Sequence, residues 1–147
     1  MEHPAKNPAE QKKPLLNAMT VDVEDYFQVS AFEKYIKRAQ WQDIPCRVEN
    51  NTNRVLEIFA EKNIKATFFV LGWVAERYPK LIRKVVDSGH ELASHGYDHV
   101  RVTNFDKSSF YSDITTTKKI LEDISGVEVI GYRAPSYSIG ATNLWVL

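Results

Sequence analysis

The sequence has one cysteine, Cys46, in 147 residues, so no internal disulfide can form and a small disulfide-stapled scaffold is excluded. It also has no excess of charge, with 19 Lys and Arg against 19 Asp and Glu. Such a balance leaves no broad electrostatic footprint, which argues against a nucleic-acid or anionic-membrane binder. No apolar run approaches the roughly 18 residues a membrane-spanning helix needs. The opening stretch, Met1 to Ala18, holds Pro4, Pro8 and Pro14 with Lys6, Lys12 and Lys13, and lacks the apolar middle of a secretory signal. It reads as a disordered N-terminal extension, and the product as cytoplasmic. The composition, 44% apolar with ample Phe, Tyr and Trp, can fill a core, and the length suits one domain or part of a larger one.

Four apolar, β-favouring runs alternate with helical patterns. The predicted strands are Ala18 to Asp22, Lys65 to Leu71, His90 to Ser94 and Glu128 to Tyr132, the second apolar enough to be buried on both faces. A first helix is predicted from a cap at Asn51 or Thr52 to about Lys62, burying Val55, Leu56, Ile58 and Phe59. A second spans Trp73 to Ser88, with Pro79 starting its main part. A third runs from a cap at Asp106 or Ser108 to about Ile124, stopped by Gly126. Thr142 to Leu147 reads as the opening turn of a further helix. Tyr26 to Gln42 is an elaborated loop with a short helix expected at Ala31 to Ala39, unusually long for a βα connection. Of the three tryptophans, all read as core or rim, Trp41 in this loop is the one placed to meet a sugar. The alternation implies right-handed βαβ units, a parallel sheet and an α/β fold of about four βα units, half of a (β/α) barrel.

Each chemically interesting cluster follows the carboxyl end of a strand, where barrels and open α/β sheets place their sites. His95 and His99 are four residues apart, a spacing that lets two imidazoles reach one ion. A third ligand should be a carboxylate from Asp22-Val23-Glu24-Asp25, either Glu24, which strand alternation puts on the same side as Asp22, or Asp25 just beyond it. Imidazole and carboxylate suit a divalent metal, zinc above all, with cobalt or nickel as alternatives. Such an ion acidifies water and polarises a carbonyl oxygen. Asp22 could then take the proton, Arg133 could hold Asp22 ionised and oriented, and a backbone N–H near Ser136 could meet the developing oxyanion. His90, which opens a strand, reads as a structural hydrogen-bonder, and Tyr97 and Asp98 as loop residues able to orient the histidines.

Thr20-Val21-Asp22 with Glu24-Asp25, Ser94-His95-x-x-x-His99 and Arg133-x-Pro135 resemble, in order, the first three motifs of the polysaccharide deacetylases (carbohydrate esterase family four, the NodB-homology domain). Ala66 to Gly72 and Gly89 to His95 are similar to that family's strands. The runs Asp22 to Phe27 and Gly131 to Ser136 resemble a bacterial branch associated with exopolysaccharide and exosortase loci. The resemblance covers residues 19–147, read as the N-terminal part of the domain. It implies a distorted (β/α) barrel that removes N-acetyl groups from an amino-sugar polymer or oligosaccharide with a divalent metal. It implies Asp22 as general base, His95 and His99 as metal ligands, and Arg133 as the residue that orients the base.

Two departures from the family pattern stand out. Val23 separates the base from the next carboxylate, where the family has the metal-binding Asp directly after the base. Ser136 and then Tyr137 follow Pro135, where an aromatic is usual; these two are the oxyanion and substrate candidates. The resemblance also implies a later Asp-with-Trp motif and a Leu-His general acid, and the sequence to Leu147 contains neither. Two other readings therefore stand beside deacetylation: a cyclic amide or imide hydrolase on the same barrel, and a non-catalytic fragment.

Overall fold

The computed structural model describes residues 17–147. The extension expected at Met1 to Ala18 lies, up to residue 16, outside the described residues. Strand β1 (Thr20–Val23) leads into three short 3-10 turns at Tyr26–Gln28, Ser30–Phe32 and Arg38–Asp43, then helix α1 (Val48–Glu61). Strand β2 (Thr67–Val70), helices α2 (Gly72–Arg77) and α3 (Pro79–Asp87), strand β3 (Glu91–Ser94) and helix α4 (Lys107–Ser125) follow. The strands form one parallel sheet in the order β1-β2-β3, as expected of successive βα units.

The two sheet faces differ. Val23, Phe68, Val70 and Leu92 point to the helix-covered side and join a core with Leu56, Val74, Ile82, Val85 and Leu121. The other side carries Thr20, Asp22, Phe69 and Ala93 in alternation, and here Thr67 and Phe69 are only half-buried. Burial of β2 on both faces is thus corrected: its second face is the floor of the site.

The fourth predicted strand is reduced to a single parallel bridge, Ser94 to Tyr132. Gly131 accepts from the Ser94 amide at 2.8 Å and Arg133 donates to the Ser94 carbonyl at 2.9 Å. Pairing stops there because α4 takes the neighbouring backbone groups. The Val129 amide donates to Glu122 Oε1 at 2.9 Å, and Lys118 Nζ donates to the Val129 carbonyl at 2.6 Å. Gly131 is required by proximity, since a Cβ there would lie 3.0 Å from that of Ala93.

The helices begin and end for local reasons with one exception. Pro79 occupies the first turn of α3, whose fixed φ and missing N–H suit it. Asp106 caps α4 by accepting from the Ser109 amide at 2.7 Å, and Gly126 ends it with φ 73°. The exception is α1, which starts at Val48, ahead of the expected Asn51 or Thr52, because its cap comes from Asp25 in the preceding loop. Ile58, expected on the buried stripe, is 40% exposed. In the long loop the helix expected at Ala31 to Ala39 is replaced by the 3-10 turns, and the last residues make another at Leu144–Val146. Phe27 and Trp41 fix that loop by packing against Trp73, with ring centroids 5.6 to 6.0 Å apart. Trp41 is therefore core.

Candidate metal and base site

The parallel register sets the site. Val23, Val70, Ser94 and Tyr132 lie in one row, so the residues that follow, including Glu24, His95 and Arg133, emerge at the same level. Glu24 Oε2 stands 3.1 Å from His99 Nε2 and 3.8 Å from His95 Nε2. One ligand atom from each of the three lies within 4.8 Å of the others. Glu24 Oε2 is buried and makes no hydrogen bond among the described residues. A buried carboxylate oxygen facing two imidazole nitrogens is a donor set of the kind and spacing that could hold a divalent cation.

The electrostatics agree. Burial, and then the Asp22 charge, push the Glu24 carboxyl up to about 7. Burial, and then the neighbouring His95, push His99 down to about 4, and burial also lowers His95. Burial thus favours an uncharged acid beside neutral imidazoles, and a nearby positive charge would reverse that preference at Glu24. The tautomer of His95 is fixed by a 2.8 Å contact in which Nδ1–H donates to the Arg133 carbonyl, leaving the Nε2 lone pair toward Glu24.

The alternative ligand, Asp25, is corrected. Its Oδ2 accepts from the amides of Arg47 at 2.5 Å and Val48 at 2.9 Å, and Oδ1 accepts from Tyr26 at 2.9 Å. Three amides occupy a carboxylate that is 3% exposed, so it caps a helix and a turn and takes no part in the triad.

Arg133 is held from three sides. Nη1 donates to Asp22 Oδ1 at 2.5 Å, Nη2 donates to Thr20 Oγ1 at 2.9 Å, and the guanidinium lies 3.9 Å over the Phe69 ring. A cleft of about 220 Å³ brings together Asp22, Glu24, His95, His99, Arg133, Ser136 and Tyr137. Ser136 and Tyr137 both have φ above 50°, and Ser136 Oγ shares a 2.6 Å hydrogen bond with Ser30 Oγ. The Tyr137 amide donates to the Ala134 carbonyl at 3.2 Å, and its side chain is 85% exposed. Thr20, present in the first motif, and Phe69, on the second strand, have no role at the site in the sequence reading, although alternation from Asp22 places Thr20 on the same face. Ser30 had no signal, since its partner lies 106 residues away. His90 is structural as expected, accepting from the Ala66 amide at 3.2 Å at the opposite end of β3.

The polysaccharide deacetylase family model matches residues 39–147, more than half of the chain, and begins after Asp22 and Glu24. A peptidoglycan-N-acetylglucosamine deacetylase of Bacillus cereus is 31% identical over 84 residues, covering 57% of this chain and 30% of that protein. The Listeria monocytogenes enzyme PgdA, of the same description, is 35% identical over 92 residues, covering 63% of this chain and 19% of its own length. A solved structure described as the T48 deacetylase with substrate superposes with a TM-score of 0.64 at 29% identity, covering 85% of this chain and 51% of that one. The chain therefore spans between about a fifth and a half of these relatives.

Proposed function

The chain belongs to the polysaccharide deacetylase family, and from that premise we propose that it removes N-acetyl groups from an amino-sugar polymer or oligosaccharide with the help of a divalent metal. The observation that carries the reading is the buried, unpartnered Glu24 Oε2 facing His95 and His99, beside an Asp22 held by Arg133. Glu24, His95 and His99 would hold zinc, with cobalt or nickel as substitutes, which supplies Lewis-acid charge to polarise an amide carbonyl and acidify water. Asp22 accepts the proton of the attacking water. Arg133 keeps that carboxylate aimed, because its own side chain is fixed by Thr20 and Phe69. The oxyanion contact from the Ala134–Tyr137 turn falls to the Ser136 amide, since that of Tyr137 is taken by Ala134. Among the described residues there is no further imidazole near the cleft to protonate the leaving amine. The runs around Asp22 and Arg133 support exopolysaccharide biosynthesis as the setting.

Zinc titration calorimetry on the 147-residue chain tests the metal reading. One site per chain, lost in the His95→Ala, His99→Ala variant, is expected; absence of binding overturns it. Acetate release from N-acetylglucosamine oligomers, against ring opening of a cyclic amide, tests the chemistry. Acetate release that Asp22→Asn abolishes is expected, and ring opening alone overturns deacetylation.

A further inference from the structure

The five residues from His95 to His99 do not form a helix turn. Gly96 and His99 both sit in the left-handed region, with φ 75° and 57°, so this backbone holds its shape only through outside contacts. Two come from the start of α2: the Gly72 amide donates to the Gly96 carbonyl at 3.0 Å and the Trp73 amide to the Tyr97 carbonyl at 3.1 Å. One is local, from the Gly96 amide to Ser94 Oγ at 3.2 Å. The amide midway between the histidines, that of Tyr97, donates to Asp113 Oδ1 of α4 at 3.2 Å. The other oxygen, Oδ2, lies 3.0 Å from where a Cβ on Gly96 would stand, so loop and carboxylate are in close apposition. Asp113 also faces the segment that delivers Arg133: burial, and then the Asp113 charge, push the Tyr132 phenol up. Asp113 lies outside every motif that marked the site in the sequence.

We infer that Asp113 is a positioning residue for His95 and His99, acting through the Tyr97 amide to keep the two imidazoles at metal-binding separation. The inference rests on the metal reading of the triad. Asp113 touches neither imidazole. It fixes the chain between them, and metal affinity falls steeply when groups that orient ligands are lost.

The test is zinc affinity by titration calorimetry on the whole chain, with far-UV circular dichroism of each metal-free variant. Asp113→Ala should bind zinc about 10- to 100-fold more weakly while keeping the wild-type spectrum. Asp113→Asn, which retains a carbonyl acceptor for Tyr97, should restore most of the affinity. Asp113→Glu keeps the charge but displaces the carboxylate by one methylene, and serves if the alanine variant does not fold; its affinity should fall. Wild-type affinity in Asp113→Ala or Asp113→Glu overturns the inference, as does an Asn variant as weak as the Ala variant. A wild-type chain that binds no zinc overturns the metal reading and this inference together; wild-type binding with indifferent Asp113 variants overturns this one alone.

Discussion

The two connections above the sheet are held by different forces. The β1–α1 connection, which delivers Glu24, is anchored chiefly by apolar burial, with Phe27 and Trp41 packed on Trp73, beside the amides that Asp25 accepts at its two ends. The β3–α4 connection, which delivers His95 and His99, is anchored by polar contacts to Gly72, Trp73 and Asp113. Aromatic burial fixes where a loop lies, and directed hydrogen bonds fix how its backbone turns. The triad needs both, and the two systems meet at Trp73, whose ring serves one loop and whose amide serves the other.

The sharpest way to break this arrangement is to remove the shared ring. Trp73→Ala should cost about 3–5 kcal/mol in denaturant unfolding, more than any other single change considered, because the ring is 1% exposed and packs on two aromatics. A loss under about 1 kcal/mol would show that the β1–α1 connection is held by other means. Gly72→Ala acts chiefly on the second loop. Its Cβ would lie 2.6 Å from Tyr97 Cδ2, an overpacking expected to cost about 1–3 kcal/mol and to weaken zinc binding in calorimetry. Asp25 and Glu24 then separate anchoring from chemistry within one loop. Asp25→Ala should lower stability by about 0.5–2 kcal/mol through the lost caps and leave zinc affinity in place, whereas Glu24→Ala should do the reverse. Loss of zinc affinity in Asp25→Ala with Glu24→Ala indifferent would exchange their roles.

The smallest effect is protonic. In the metal-free chain, Glu24 retains between pH 4.5 and about 7 a proton that the unfolded chain releases, so its contribution to stability falls as pH rises through that window. His99 stays neutral between about 4 and pH 6.5 where the unfolded chain takes up a proton, so its contribution falls as pH drops. The slopes oppose each other, so the contributions of these two groups largely cancel from pH 4.5 to 6.5. Zinc uptake near pH 6 should release about one proton, from Glu24, and the release should fall to about half near pH 7 and fade at higher pH. Calorimetry in buffers of different ionisation enthalpy reads this directly; a release of two would mean that at least one histidine also carries a proton.

Much of this was legible because strand and helix periods are local. The positions of β1, β2, β3 and α4, the stop at Gly126 and the gathering of Asp22, His95 and Arg133 at strand ends follow from residues a few positions apart. The choice between Glu24 and Asp25 was not legible, because it is made by the amides of Arg47 and Val48, more than twenty residues on. The same partner, absent from the local pattern, shifts the start of α1. The fate of Glu128 to Tyr132 depends on Lys118 and Glu122 reaching back from α4, which no strand propensity records. Loop 26–44 was opaque because aromatic packing against Trp73, rather than periodicity, gives it shape.

Arg133 supplies two things from one position: its guanidinium aims Asp22, and its carbonyl fixes the His95 tautomer. These differ in heritability. A codon change can replace the guanidinium, but every amino acid brings the same carbonyl. On the proposed reading, a lineage could therefore lose the orientation of Asp22 at this position while the imidazole kept its tautomer, and metal capture would outlast catalysis under relaxed selection.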